Sequence, residues 1–150
     1  MTDSDTSAKP FRVLPRVTPE TEPFWTAGAG GVLRFLRCTD DGTFVHPPAP
    51  VCPTCLGRRL EWAAVSGRAT VATYTVNHQP WYPGLDPPYV VAIVAIDEDA
   101  SVRLMTNIVG CPPEDVTIGM PVQVTFEQHA DDVWLPFFAP ARTEDGDGGR

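Results

Sequence analysis

Apolar and polar residues in the second half of the chain alternate with the period of a β-strand, not of a helix. Residues 67–77 are the clearest case, because they combine this alternation with β-branched side chains. The alternation assigns four residues to each side: Ala69, Val71, Thr73 and Thr75 on one, Thr70, Ala72, Tyr74 and Val76 on the other. We therefore predict a strand over 67–77 with two distinct faces.

Further strands follow along the chain. Residues 89–96 are almost continuously apolar, which predicts a strand buried on both faces. A turn at 97–100 joins it to a strand over 101–109, and turns at 118–121 and 130–132 flank strands over 122–126 and 133–138. Five strands joined by hairpin turns and one long loop predict a small β-barrel, closed or partly closed.

The first half of the chain has a different pattern. Threonine, prolines and acids at 18–23 are typical of a helix start, and glycines at 28, 30 and 31 end it, so we predict a short helix over 20–28. Phe24 and Trp25 are its large apolar residues, and they either dock on a partner or cover the protein's own core. A strand over 32–37 follows.

The charge distribution argues against nucleic acid as the partner. The 150 residues have a net charge of -8; residues 1–70 carry eight Lys and Arg against seven Asp and Glu, and residues 71–150 carry three against twelve. Binding a phosphate backbone requires clustered basic residues. The basic side chains that do cluster either keep the chain soluble or contact an anion or partner; they are Arg34, Arg37, Arg58, Arg59 and Arg68.

Seventeen prolines and twelve glycines favour strands and loops over long helices. The sequence has no apolar run of about 18 residues and no secretory signal, so we expect a cytoplasmic protein. In that compartment four cysteines indicate metal binding more than disulfides.

The cysteines themselves indicate a zinc ribbon. Cys52 and Cys55 have the spacing that lets two thiolates bind one tetrahedral ion. Cys38 begins an earlier knuckle, in which Asp41 stands where a fourth cysteine is expected. A carboxylate can bind zinc, so a Cys3Asp site is one interpretation; His46 as the fourth ligand is another, and a metal-free ribbon is the third.

Other candidate residues carry weaker signals. Cys111 lies in a turn without a neighbouring base, and we expect an inert thiol. His78 and His129 are expected to be loop histidines. The loop over 79–88 contains Trp81, Tyr82 and Leu85 between prolines, which predicts a contact surface for protein or acyl chain, or a segment folded over the barrel mouth.

Together these features resemble the acyl-CoA-associated zinc-ribbon OB-fold family. The resemblance runs over residues 24–140 and rests on the order and spacing of several short motifs. They are the Phe24-Trp25 pair, Pro47-Pro48, Cys52-Pro53-Thr54-Cys55, the junction from Glu61-Trp62 to Ser66-Gly67, the strand at 73–76, Pro87-Pro88 before the strand at 89–96, Asn107, and the segments 118–122 and 135–140.

The resemblance implies a mainly β fold with a short N-terminal helix, a rubredoxin-like zinc ribbon and a five-stranded OB barrel. The expected divisions are a disordered tail (1–17), the helix (18–31), the ribbon (32–62), the barrel (63–140) and a disordered acidic tail (141–150). Ribbon zinc is expected to be structural.

The resemblance also implies a function. Members work beside thiolase-like subunits, often of the lipid-transfer-protein type, in hetero-oligomers that cleave or condense acyl-CoA thioesters, and the barrel helps to hold coenzyme A. We therefore expect a non-catalytic accessory subunit of an aldolase or thiolase, with steroid side-chain degradation as one setting. The alternatives are a partner of a MaoC-like enoyl-CoA hydratase, or a free acyl-CoA-binding module. The expected partner-binding residues are Phe24, Trp25, Trp81, Tyr82 and Leu85.

Overall fold

A computed structural model describes residues 11–142 of the protein as a helical turn, a three-stranded sheet and a barrel. The predictions for residues 1–10 and 143–150 lie outside the described residues. The elements, in chain order, are α1 (Glu22–Thr26), a 3-10 turn (Ala27–Gly30), β1 (Leu33–Cys38), β2 (Phe44–Val45), β3 (Leu60–Val65), β4 (Arg68–Asn77), β5 (Tyr89–Ile96), β6 (Asp99–Ile108), a 3-10 turn (Pro113–Asp115), β7 (Pro121–Ala130) and β8 (Val133–Pro140).

The strands form two sheets. The ribbon sheet has the order β2-β1-β3, and the remaining five strands close into a barrel with the order β4-β5-β6-β8-β7. Most neighbours are antiparallel; β6 and β8 meet in parallel, with Ile108 opposite Phe138. The mainly β fold with a five-stranded barrel is confirmed, while β2 and β3 were not predicted as separate strands.

One hydrophobic core joins the three parts. Phe24 from α1 and Leu33 and Phe35 from β1 belong to the same buried cluster as the barrel residues Val94 and Phe138. Because the helix and the ribbon sheet contribute to this core, they are held against the barrel by apolar packing. Among the described residues, no helix is long and apolar enough to cross a membrane.

Strand β5 differs from its prediction. Its residues alternate between buried and half-buried, so that one side faces the core and the other side is only partly covered. The prediction of burial on both faces was therefore wrong. The outward side is nevertheless apolar, with Val91 and Ile93 half-buried, which is why the sequence showed no alternation.

Strand β4 corrects a second prediction. Its register shifts between Val71 and Thr73, so Ala72 forms a bulge. Ala69 and Val71 are buried before the bulge, whereas Tyr74 and Val76 pack against the core after it. A bulge inserts one extra residue and exchanges the two faces of the strand beyond it. Thr73 and Thr75, predicted on the same side as Val71, consequently point to solvent.

Two residues of the segment 1–17, which is predicted to be disordered, contact the rest of the molecule. The Arg12 guanidinium donates a 2.7 Å hydrogen bond to Asn107 Oδ1 on β6 and lies 4.8 Å above the Phe137 ring. Phe11 lies 6.0 Å from the Tyr82 ring. Phe11 and Arg12 therefore contact the aromatic loop and the barrel, and the division at residue 17 stays a prediction.

The helical segment begins and ends two residues later than the predicted 20–28, and only its first part is α-helical. It consists of one α-helical segment and the following 3-10 turn, with Pro23 in the first turn, where a missing N–H costs little. Gly31 ends it with a φ of 71° and donates its N–H to the last carbonyls. Gly28 is buried, and it allows the turn to approach Phe126 and Trp134 of the barrel closely.

Candidate metal centre and aromatic loop

The ribbon contains two knuckles with nearly the same backbone geometry. In the first, Gly42 N–H donates to the Cys38 carbonyl at 2.9 Å; in the second, Leu56 N–H donates to the Cys52 carbonyl at 3.0 Å. Gly42 and Leu56 both have positive φ, at 78° and 61°. These turns bring the side chains at the first and fourth knuckle positions together.

Four side chains converge between the knuckles, and we call them the ribbon cluster: Cys38, Asp41, Cys52 and Cys55. Their candidate ligand atoms all lie within 4.8 Å of one another. The Sγ atoms of Cys38 and Cys55 are 3.6 Å apart, and Cys52 Sγ lies 3.7 and 3.6 Å from the two carboxylate oxygens of Asp41.

The ribbon cluster has the dimensions of a zinc site. Tetrahedral zinc with Zn–S bonds of about 2.3 Å separates two sulfurs by about 3.8 Å, and a sulfur from an oxygen by about 3.5 Å. The observed separations of 3.6–3.7 Å match both values. The three thiols and one carboxylate therefore fit one zinc ion, and they fill all four positions of a tetrahedral site.

The electrostatics of the ribbon cluster also suit a cation. The Thr43 N–H, donated to the Asp41 carboxylate, holds the pKa of Asp41 at about 2 against the opposing effect of burial. The Cys55 N–H lowers the pKa of the Cys52 thiol. For Cys55, the Gly57 N–H lowers the pKa, but the Cys38 and Cys52 thiols, burial and the Asp41 charge together raise it to about 11. A bound divalent ion favours the thiolate form at every coordinating sulfur.

His46 does not belong to this site. Its ring lies 5.0 Å from Phe35 and 5.4 Å from Phe24, between α1 and the ribbon sheet. The interpretation of His46 as the fourth ligand is therefore corrected. Burial lowers the pKa of His46, and its buried Nδ1 atom has no hydrogen-bond partner in the described part of the chain. The residue acts as a neutral aromatic ring in the packing of the helix on the ribbon.

Two arginines of the ribbon, Arg37 and Arg59, contact other ribbon residues. Arg59 lies 3.5 Å from Asp40, and Arg37 donates to the Gly42 carbonyl at 3.1 Å while its guanidinium lies over the Phe44 ring. The contacts of Arg37 hold the first knuckle, whereas the Arg59–Asp40 pair, with side chains 81% and 42% exposed, contributes little to stability. Both interpretations of the basic residues, solubilising charge and contact with an anion or partner, stay predictions.

The predicted aromatic pair on the helix is split by the structure. Phe24 is only 5% exposed and packs edge-on against Trp25, with ring centroids 4.8 Å apart. The prediction of Phe24 as a docking residue is therefore wrong, because its side chain is part of the core. Trp25 is half-buried, and its ring remains accessible beside the barrel.

The aromatic loop, residues 79–88, carries the largest exposed apolar side chains of the barrel. Trp81 is 67% exposed and Tyr82 48% exposed. Trp81 Nε1–H donates to Asn77 Oδ1 at 2.8 Å, which fixes the indole at the end of β4. The loop thus projects outward in a defined orientation and does not fold over the barrel.

An apolar pocket of about 340 Å³ lies next to this loop, on the outer face of β5, β6 and β8. Leu85, the last of the five predicted contact residues, lines it together with Trp25, and Arg12 and Asn107 supply polar groups. Met105, which is 70% exposed, stands at its rim. Leu85 is the residue of the aromatic loop that lines this pocket.

Three further candidates can be assessed. His129 lies within β7 and not in a loop, and its Nε2 atom is 2.9 Å from Glu127 Oε1. The sequence analysis missed this pair, although residues two apart share one side of a strand. Burial, with the charge of Asp115, raises the pKa of Cys111. His78 is exposed just after β4.

A rubredoxin-like ribbon followed by a five-stranded barrel defines this molecule as a zinc-ribbon OB-fold protein. Residues 25–61 match the family described as "ChsH2, rubredoxin-like zinc ribbon domain", and residues 62–127 match "ChsH2, C-terminal OB-fold domain". A "DUF35 domain-containing scaffold protein" of Methanocaldococcus jannaschii is 38% identical over 99 residues, covering 65% of this chain and 69% of that protein. The chain therefore belongs to the DUF35 family of ChsH2-type proteins.

A solved structure, "Ltp2-ChsH2(DUF35) aldolase", contains a chain with 34% identity and a TM-score of 0.77, covering 86% of this chain and 100% of that chain. The "3-oxo-4,17-pregnadiene-20-carboxyl-CoA hydratase alpha subunit" of Mycobacterium tuberculosis is 34% identical over 117 residues, which is 78% of this chain. The chain spans 41% and 37% of the length of the two curated hydratase alpha subunits that it matches.

Proposed function

We propose that the chain is a non-catalytic accessory subunit of a thiolase-superfamily aldolase or thiolase that acts on acyl-CoA thioesters. The observation that carries this proposal is the match to the "Ltp2-ChsH2(DUF35) aldolase" chain, which is covered over its whole length at 34% identity. The longer hydratase alpha subunits contain a comparable region as only part of their length.

The chemistry of the described residues supports a role without turnover of its own. Cys111 is the cysteine outside the ribbon cluster, and its raised pKa makes it a poor nucleophile. The side chain of His129 is 6% exposed, so it offers little surface to a substrate. Catalytic groups for carbon–carbon bond cleavage are accordingly assigned to the partner subunit.

The aromatic loop is the proposed docking surface. Trp81 and Tyr82 present large apolar rings, and the bond from Trp81 to Asn77 removes part of the entropy that docking otherwise costs. Trp25 and Leu85 extend this surface into the adjacent pocket. Aromatic anchors of this kind typically contribute about 2 kcal/mol or more to an interface, equivalent to about 30-fold in affinity.

The ribbon cluster has a structural role in this proposal. Cys38, Asp41, Cys52 and Cys55 hold one zinc ion, which joins the knuckle between β1 and β2 to the one before β3. Binding of a structural metal is coupled to folding. The zinc ribbon then fixes β1, whose Leu33 and Phe35 enter the common core beside α1.

The acyl-CoA is proposed to lie between this chain and its partner. The pocket beside the aromatic loop has apolar walls, with Arg12 and Asn107 at one side. Among residues 11–142, none supplies a hydrogen-bond acceptor to the buried Arg12 Nε atom. A thioester substrate offers both apolar surface and carbonyl acceptors to such a pocket.

The test is co-purification from the native source, followed by quantitative binding. A tagged chain is expected to co-purify with a thiolase-fold subunit, and the reconstituted pair is expected to turn over acyl-CoA while the isolated chain does not. A Trp81→Ala, Tyr82→Ala double variant should weaken this complex by at least about 30-fold.

Ile118→Ala provides the matched control, because Ile118 is 69% exposed but lies before β7, away from the aromatic loop. It should bind as the unmodified chain does. A double variant with a much lower melting temperature and unchanged affinity per folded molecule contradicts the docking surface. Turnover by the isolated, mass-verified chain contradicts the accessory role.

The second candidate is a subunit that supports a MaoC-like enoyl-CoA hydratase. The identity of 34% to the pregnadiene-carboxyl-CoA hydratase alpha subunit favours it. The same purification separates the two candidates, since a hydratase-fold partner and hydration of an enoyl-CoA by the reconstituted pair support the second and exclude the first.

A further inference from the structure

The two knuckles of the ribbon have equivalent backbones but different fourth ligands. Thr43 N–H donates to Asp41 Oδ1 at 2.9 Å, and Gly57 N–H donates to Cys55 Sγ at 3.4 Å. In each knuckle, the amide two residues after the candidate ligand thus stabilises that ligand. Asp41 therefore occupies a ligand position and receives the hydrogen bond that a sulfur receives in the other knuckle.

The ribbon cluster is open to solvent on one side. Cys38 and Cys52 are 0% exposed, whereas Asp41 and Cys55 are exposed. Exchange of a metal ligand with a competing donor from solution can take place only at the exposed pair. Of these two ligands, thiolate is the softer donor and suits zinc better, while carboxylate suits harder ions. Asp41 is therefore the weaker of the two ligands that solvent can reach.

We propose that Asp41 is a zinc ligand that makes the metal exchangeable. A competing donor displaces the carboxylate, which keeps its negative charge, and no oxidation is involved. This inference goes beyond the scaffold role. Because β1 contributes Leu33 and Phe35 to the common core, loss of zinc then lowers the stability of the folded chain.

The test measures zinc release from the full zinc-loaded chain to an excess of a chromophoric chelator. Asp41→Cys should slow zinc release at least 10-fold, and Asp41→Asn should accelerate it by a similar factor. We expect effects of this size because changing a group outside the coordination sphere already alters zinc affinity by roughly 10-fold. Asp40→Asn is the matched control, because it removes the same charge one residue away. Its release rate should stay close to that of the unmodified chain.

Cobalt(II) in place of zinc gives a readout that does not depend on rates. Absorption from thiolate-to-cobalt charge transfer should rise by about one third in Asp41→Cys, from three thiolates to four, and the visible bands should shift in Asp41→Asn but not in Asp40→Asn.

Identical cobalt spectra for the unmodified chain and Asp41→Asn overturn the proposal, as do equal release rates for the two asparagine variants. Asp41→Cys should fold at least as well as the unmodified chain, so an unchanged release rate in this variant also overturns it. None of these measurements needs the partner, and failure here leaves the proposed subunit role to its own test.

Discussion

Leu56 stands in a backbone conformation that suits glycine. It occupies the position in the second knuckle that Gly42 occupies in the first, and its φ is 61°. A residue with a Cβ atom in this left-handed region costs roughly 1–2 kcal/mol. Leu56 regains little of this by burial, because its side chain is 73% exposed.

Replacing Leu56 by glycine should therefore stabilise the isolated chain. Relief of about 1–2 kcal/mol in the folded state is offset by the greater freedom of glycine in the unfolded chain, about 0.4–1 kcal/mol. The net gain is about 0.5–1 kcal/mol, which corresponds to a rise in melting temperature of about 1–4 °C for a chain of this size. Urea denaturation followed by circular dichroism measures the same free energy of unfolding.

Gly42→Ala is the complementary change. An added Cβ would lie 3.3 Å from the end of the Arg37 side chain, which can move, so the backbone conformation dominates the effect. The cost of the left-handed backbone is partly offset by the smaller freedom of alanine in the unfolded chain, so we expect a net loss of about 0.5–1 kcal/mol. Both variants should be measured with zinc and after chelation. Destabilisation by Leu56→Gly would refute the reasoning, since it would mean that Leu56 makes contacts worth more than the strain.

Two further predictions concern the interface between α1, the ribbon and the barrel. Burial lowers the pKa of His46, so its contribution to stability is present above the unfolded-state pKa of about 6.5 and is lost as the pH falls through the lower folded-state value. Melting curves at pH 7.5 and 5.5 should accordingly show His46→Phe gaining stability relative to the unmodified chain at the lower pH. A constant difference would show that His46 has the same pKa in the folded and the unfolded chain. Gly28→Ala should cost about 1–3 kcal/mol, because the added Cβ would lie 2.5 Å from Phe126 Cδ1 and 2.6 Å from Trp134 Cβ, whereas Gly30→Ala, which meets nothing within 4 Å, should change the free energy of unfolding little.

The sequence predicted the β-strands best where local pattern decides them. The bounds of β5 were predicted as they are found, 89–96, because turn residues flank a continuous apolar run. The bulge at Ala72 could not be predicted from the local pattern, because it depends on the pairing of β4 with β5. Simple alternation therefore gave the wrong face for Thr73 and Thr75.

Side-chain burial was harder to predict than strand position. Phe24 and Trp25 are neighbours of similar character, yet one is in the core and the other half-buried. The burial of each side chain depends on how α1 packs on Phe35 and the barrel, and the local sequence does not determine this packing. The ribbon cluster could be predicted down to Asp41, because knuckle spacing is a local property.

The order of strands in the barrel has a consequence for synthesis of the chain. Strand β8 lies between β6 and β7, and so it separates two strands that are made before it. Until Val133–Pro140 has left the ribosome, β6 and β7 both present unpaired edges, and the apolar interior that Phe138 fills is open. Exposed edges of this kind invite pairing with other nascent chains. The exposed edges of β6 and β7 are therefore covered only when β8 is inserted. Chains that stall before residue 133 should be recognised by chaperones and proteases.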